Sequence, residues 1–204
     1  MSRNHRNVEN CQWLPTALVL SMLALSSHDV RSADEKPATK TKSVAAGDLK
    51  LQLPESWKAN PQVRDPRIFE CVVPPAAEDK EPGEFVVFYF GQGGAGGVQA
   101  NIQRWVGQFE EEGRKVKTFT GMSEQGKYTL VDLSGSYNKS VGPPIAKKSK
   151  RLPGWRVINV FIETESGPYF LKIDGPAKTI ASIENDLRVA FGGNKESEKE
   201  LKGE

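Results

Sequence analysis

Apolar and polar residues alternate along this chain in runs that mark out elements. Leu49, Leu51 and Leu53 alternate with polar neighbours as one face of a strand does, and Pro54, Glu55, Ser56 and Trp57 then turn the chain. Residues 68–73 predict a second strand, stopped by Pro74 and Pro75. Residues 85–90 (FVVFYF) are apolar at every position, so both faces of that strand need cover and its place is inside a sheet. Two stripes at helical spacing supply the cover. Val98, Ile102, Trp105, Val106 and Phe109 form one, stopped at Gly113; Ala177, Ile180, Ile183, Leu187, Ala190 and Phe191 form the other, opened by Pro176 and stopped at Gly192 and Gly193. Residues 115–120, 127–137, 156–164 and 169–174 predict strands, the last two forming a hairpin that turns at 165–168. The expected fold class is α+β: a three-layer α/β/α sandwich whose mainly antiparallel sheet of about six to seven strands carries a helix on each face.

The two ends of the chain lack this periodicity. Arg3 and Arg6 precede an uncharged run over residues 14–25, which closes on Ser26 and Ser27, the grammar of a signal peptide over 1–33. That run falls short of the roughly 20 residues a bilayer-spanning helix needs, so no stable membrane span is expected once the leader is removed. Cleavage is placed near Ser32 or Ala33; Arg31 disturbs that site, which keeps a cut after Ser26 and an uncleaved anchor as alternatives. Cys11 precedes the apolar run and so is not a lipid-attachment cysteine. Residues 34–47 read as a flexible linker, 48–192 as the folded domain, and 193–204, almost wholly Lys, Glu and Ser, as a disordered charged tail. The expected location is outside the cytoplasm, periplasmic or secreted.

Composition narrows the chemistry. Both histidines, His5 and His28, fall in the leader, so the remaining chain has no residue for Ser-His or Cys-His nucleophile pairs or for imidazole acid/base work. Cys71 is the one cysteine left, so no internal disulfide forms; among apolar neighbours it reads as a buried, inert thiol. Of 28 basic and 26 acidic residues, Arg3, Arg6, Arg31, Glu9 and Asp29 lie in the leader, which leaves the domain close to neutral. No nucleic-acid partner is expected from that balance. No calcium-loop motif is present, and neither a metal nor a cofactor is expected.

Three groups of residues carry candidate chemistry. Gly91, Gln92, Gly93, Gly94, Gly96 and Gly97 satisfy G-x-G-x-x-G between a strand and a helix, but the parallel strand and terminal acid of a dinucleotide site do not follow. They remain ligand-binding candidates, either as a backbone cradle for an anion at a helix start or as a flexible exit from the strand. Lys147, Lys148, Lys150, Arg151 and Arg156, with Trp155 among them, form a basic loop that suits an acidic protein surface or envelope polymer. Asp132, Glu163, Glu165 and Asp174 lie in or beside strands; a pair facing one cleft would permit histidine-free glycoside hydrolysis.

Leu51-Gln52-Leu53-Pro54-Glu55-Ser56-Trp57 resembles the opening strand and Pro-x-x-Trp turn of the PsbP-like superfamily. Tyr169-Phe170-Leu171-Lys172-Ile173-Asp174-Gly175-Pro176 resembles its last strand running into the final helix. The similarity spans about residues 48 to 192. It implies a sheet sandwiched between helices and, since most members bind or assemble rather than catalyse, a noncatalytic exported binding or accessory module. Its partner would be a protein or envelope component, of an identity and oligomeric state that sequence does not give. The alternatives are the carboxylate-based hydrolase and a nucleotide- or anion-binding protein using the glycine loop.

Overall fold

In the computed structural model, residues 39–94, 96–142 and 148–202 are described. The expected leader, the start of the linker (34–38) and Lys147 lie outside them. The described strands are β1 (Thr41–Ala46), β2 (Leu49–Pro54), β3 (Lys58–Ala59), β4 (Arg67–Val73), β5 (Gly83–Tyr89), β6 (Lys115–Ser123), β7 (Gly126–Ser140), β8 (Ser149–Thr164), β9 (Gly167–Pro176) and β10 (Lys199–Leu201). The helices are α1 (Val98–Val106), α2 (Ala177–Ser182) and α3 (Glu184–Phe191). Eight strands form one sheet in the order β10-β6-β7-β8-β9-β5-β4-β3, antiparallel at every pairing, and β1 and β2 form a separate hairpin.

This architecture overturns the expected three-layer sandwich with a helix on each face. Strand outweighs helix by 52% to 16% of the described residues, so the protein is mostly β. The physical reason lies in what covers the sheet. Neighbouring residues of each central strand go to opposite cores: Leu130, Ile158 and Leu171 to one, Val131, Val157 and Phe170 to the other. The first core is closed by the β1–β2 hairpin (Ala46, Leu49, Leu51, Leu53) together with Ile180 of α2 and Leu187, Ala190 and Phe191 of α3. The second is covered by the nine-residue α1, through buried Trp105 and partly buried Val98, Ile102 and Val106, supplemented by Phe109, Tyr137, Leu152 and Trp155.

Two expectations at the chain ends fail for the same reason, that a partner in space supplies what local sequence lacks. Thr41–Ala46, read as linker, pairs residue for residue with β2, from Thr41 opposite Pro54 to Ala46 opposite Leu49. Lys199–Leu201, read as disordered tail, pairs with β6 through Thr118, Phe119 and Thr120. The helices also differ in extent. α1 stops at Gly107, where the Gly107 N–H bonds back to the Gln103 carbonyl and the Gln108 N–H to that of Trp105, well before Gly113; the second stripe is broken at Ile183 into α2 and α3.

β7 and β8 are long and share an irregular register between Gly135 and Tyr137. Such a bulge bends a strand pair. Beyond it, Lys139 of β7 reaches Asp174 of β9 and Glu84 of β5, two and three strands away in the order. At about 4.8 Å per strand a flat pair would leave those groups out of reach, so the far half of β7–β8 folds across the sheet's second face.

The β1–β2 turn docks on the sheet through one contact. Gly47 has φ +61°, the left-handed region, and a Cβ placed on it would lie 2.6 Å from the Tyr169 hydroxyl, which accepts a hydrogen bond from the Asp48 N–H at 3.0 Å. Gly47→Ala is therefore expected to cost about 1–3 kcal/mol, from strained backbone and a displaced tyrosine, seen as a lower urea midpoint at unchanged m-value.

Candidate functional site

The second face of the sheet is where cover runs out. β5 enters it well buried, with Phe85, Val86 and Val87 at 0–1% exposure, but Phe90 at its exit is 40% exposed. The expected sealing of residues 85–90 on both sides therefore holds for the first half of that run and fails at its end. The short α1, which sets Trp105 against Phe170 of β9, does not fill the space between itself and the sheet. What remains is a cleft of about 170 Å³, bounded by Phe88, Phe90, Arg104, Trp105, Gln108, Asn159, Phe170 and Lys172.

Its walls are aromatic. Phe90 meets Phe170 edge-on at 5.5 Å between ring centroids and stacks beside Phe88 at 6.2 Å; Trp105 meets Phe170 edge-on at 6.2 Å. Phe161 stands perpendicular to Phe170 at 5.0 Å behind it, which fixes the ring that both others lean on. The floor carries one amide. Asn159, in the middle of β8, is 2% exposed, and its Nδ2 has no hydrogen-bond partner among the described residues. A buried donor left unpaired costs on the order of 1–3 kcal/mol. At the rim, the Arg104 guanidinium donates to Asn101 Oδ1, and the Asn101 amide donates to the Gly97 carbonyl, so α1's own first turn orients the arginine.

Beside the floor lies a buried ion cluster. Asp174, 1% exposed, accepts from Lys139 Nζ at 2.7 Å and from Trp155 Nε1 at 3.2 Å, and its other oxygen lies 3.1 Å from Lys172 Nζ. Lys139 also bonds Glu84 at 2.9 Å, and Glu84 lies 3.2 Å from Arg67. Burial alone would push the Asp174 carboxyl up, but the charges of Lys172 and Lys139 outweigh it and hold the group below the usual carboxylate range. Burial likewise opposes the Lys172 charge, yet Asp174 keeps its pKa raised. Lys172 also donates to the buried Tyr137 hydroxyl at 2.8 Å and is one of the residues that bound the cleft.

The residues singled out from sequence fall elsewhere. Gly91, Gln92, Gly93, Gly94, Gly96 and Gly97 carry the chain from Phe90 to α1 but line no part of the cleft. Gly91, Gly93 and Gly96 adopt positive φ and face open space, the behaviour of a connection. The basic residues do not converge. Arg151 forms a two-pronged pair with Glu110, at 2.6 Å on each prong. Arg156 instead holds Asp132 and Glu184, while Lys148 and Lys150 are exposed. Of the four candidate acids, Asp132 is held by Arg156, Asp174 by the two lysines, and Glu163 and Glu165 are exposed. The raised carboxyl pKa that a hydrolytic pair needs is absent from Asp174 and from Glu184, the latter drawn down to about 2 against burial by Arg156. Cys71 is fully buried, and burial pushes its thiol up to about 12.

Sequence reasoning missed the cleft residues, although one signal was available. Asn159 interrupts Val157-Ile158-Asn159-Val160-Phe161, and Lys172 interrupts Tyr169-Phe170-Leu171-Lys172-Ile173, each a polar break in a strand with both faces buried. Local rules broken without compensation mark functional positions.

Among the described residues, no helix is long and apolar enough to cross a membrane, and no group of three or more Cys, Asp or Glu side chains is arranged to hold a metal ion. No known family matches the chain, and no curated protein matches it. Among solved structures, PA94, a Pseudomonas aeruginosa protein described as of unknown function, aligns over 72% of this chain and 91% of its own, with 12% identity and a TM-score of 0.37. A likeness that low assigns neither a fold nor a role.

Proposed function

We propose that this chain is a noncatalytic binding module that works outside the cytoplasm, and that its binding site is the aromatic cleft under α1. One observation carries the reading: the Asn159 amide donor, unpaired among the described residues, at the floor of a cleft that it shares with Phe88, Phe90, Trp105 and Phe170 and with the polar side chains of Arg104, Gln108 and Lys172. Ligand sites combine an apolar lining with a few placed polar groups in this way. The leader grammar of residues 1–33 supports export, and the PsbP-like phrases support a binding rather than a catalytic role. The hydrolase alternative loses its support because its acids are neutralised by cations or stand in solvent. The glycine-loop alternative has less support because Gly91, Gly93, Gly96 and Gly97 face open space and none of the loop residues lines the cleft.

The test is a screen of small uncharged and charged single-ring compounds against the isolated protein, followed by NMR of the Trp105 indole and Asn159 side-chain amide signals. At least one compound is expected to move both, to be recovered unchanged, and to bind several-fold more weakly to Phe90→Ala, an exposed-side truncation that leaves the core intact. A library that moves neither signal would retire the proposal.

A further inference from the structure

Resting on the cleft as the binding site, we infer that its ligand is a small monocarboxylate carrying one aromatic ring. Three features of the lining lead there. First, every charged residue that bounds the cleft is a cation, Arg104 and Lys172, and no carboxylate faces it. The nearest acid, Asp174, is already balanced by two lysines. A cationic guest would meet two like charges in a partly desolvated space, whereas an anion meets two opposite ones.

Second, the unpartnered buried polar atom among the residues that bound the cleft is a donor, whereas Asp174 Oδ2, outside the lining, already lies 3.1 Å from Lys172 Nζ. Asn159 Nδ2 has no partner among the described residues. The Lys172 ammonium carries three donors, and the partners it has are Tyr137 Oη and Asp174. A ligand that brings acceptor oxygens satisfies the buried amide and meets the ammonium beside it; Asn159 and Lys172 are direct cross-strand partners in the β8–β9 ladder, so one carboxylate can address both. Third, size sets the rest of the molecule. A dry cavity of about 150 Å³ accepts benzene. At about 170 Å³, this cleft takes one ring with its carboxylate, flanked by Phe90, Phe170 and Trp105.

The experiment compares phenylacetate and benzoate with their neutral amides and with N-acetylphenylalanine, by NMR titration of the isolated protein at neutral pH. The acids are expected to bind at least tenfold tighter than the amides. Asn159→Leu is expected to weaken acid binding about tenfold while leaving thermal stability equal or higher, since it removes an unsatisfied buried donor at similar volume. Arg104→Gln, an exposed change that cannot unfold the core, is expected to weaken the acids several-fold and the amides not at all. Equal binding of acids and amides would overturn the carboxylate assignment and leave the cleft standing as a binding site. Tighter binding of N-acetylphenylalanine than of phenylacetate would overturn it in favour of a peptide C-terminus. If no compound shifts Trp105 or Asn159, the binding-module proposal goes with it.

Discussion

Asp174→Ala is expected to destabilise the protein by about 3–5 kcal/mol, the usual cost of removing one member of a buried ion cluster. Asp174 is 1% exposed and is the shared counterion of Lys139 and Lys172, so its loss leaves Lys139 with Glu84 and Lys172 with the Tyr137 hydroxyl in place of a carboxylate. It also frees the Trp155 indole N–H, which anchors the folded-over half of β8. The same cluster dictates a pH signature. Asp174 has a folded pKa below its ordinary value of 3.8, so its contribution is present above about pH 4 and is lost as pH falls through the lower folded value. Lys139, raised despite burial by Asp174 and Glu84, gives the mirror image: its contribution is complete below 10.5 and is lost as pH rises through its folded value. Urea titrations between pH 2 and 7 should show an acid limb that is steep in the native protein and shallower in Asp174→Asn. Parallel limbs below pH 4 would mean that the carboxylate carries no native charge preference. Because Lys172 borders the cleft, ligand affinity should fall with the cluster even at temperatures where Asp174→Asn remains folded.

How much of this was legible in the sequence divides along a physical line. Period-2 and period-3.6 patterns report burial against a neighbour on one face, so β2, β5, the β8–β9 hairpin and both helical stripes could be read directly. β1 could not, because TKSVAA turns only Val44 and Ala46 toward the core and relies on β2 for its hydrogen bonds. The eight-stranded sheet was underestimated because both outer strands, β3 and β10, are too short to carry a pattern. The site was invisible for a different reason. Glycine and lysine runs attract attention as motifs, yet here Gly91, Gly93, Gly96 and Gly97 face open space and two of the cations, Arg151 and Arg156, are tied to acids on different elements. The cleft is assembled from single residues on β5, α1, β8 and β9, and its sequence trace is two polar breaks in otherwise apolar strands.

The charged C-terminal segment provides the other large effect. Composition alone predicts disorder there, since nothing in its Lys, Glu and Ser residues repays the entropy of fixing a chain. What orders it is one arginine. Arg188 of α3, with its side chain 3% exposed, grips Glu198 through two parallel bonds of 2.8 Å, and Glu198 is equally buried. Glu198 also accepts from the Tyr128 hydroxyl at 3.0 Å, and burial together with the Glu198 charge pushes that phenol up to about 12. Arg188→Leu strands this carboxylate in the interior and is expected to cost about 3–5 kcal/mol, on the order of 10 °C in Tm for a domain of this size. Glu198→Leu should cost less, because Glu184 still pairs Arg188 at 3.0 Å. Combining the two should be milder than Arg188→Leu alone, since no buried carboxylate is then left without its partner. In both Arg188→Leu and Glu198→Leu the amides of Lys199–Leu201 should lose hydrogen-exchange protection before the rest of the sheet. Should Arg188→Leu cost less than 1 kcal/mol with that protection unchanged, β10 would be held by its ladder with β6 alone, and the arginine clamp would be displaced as the cause of order in the tail.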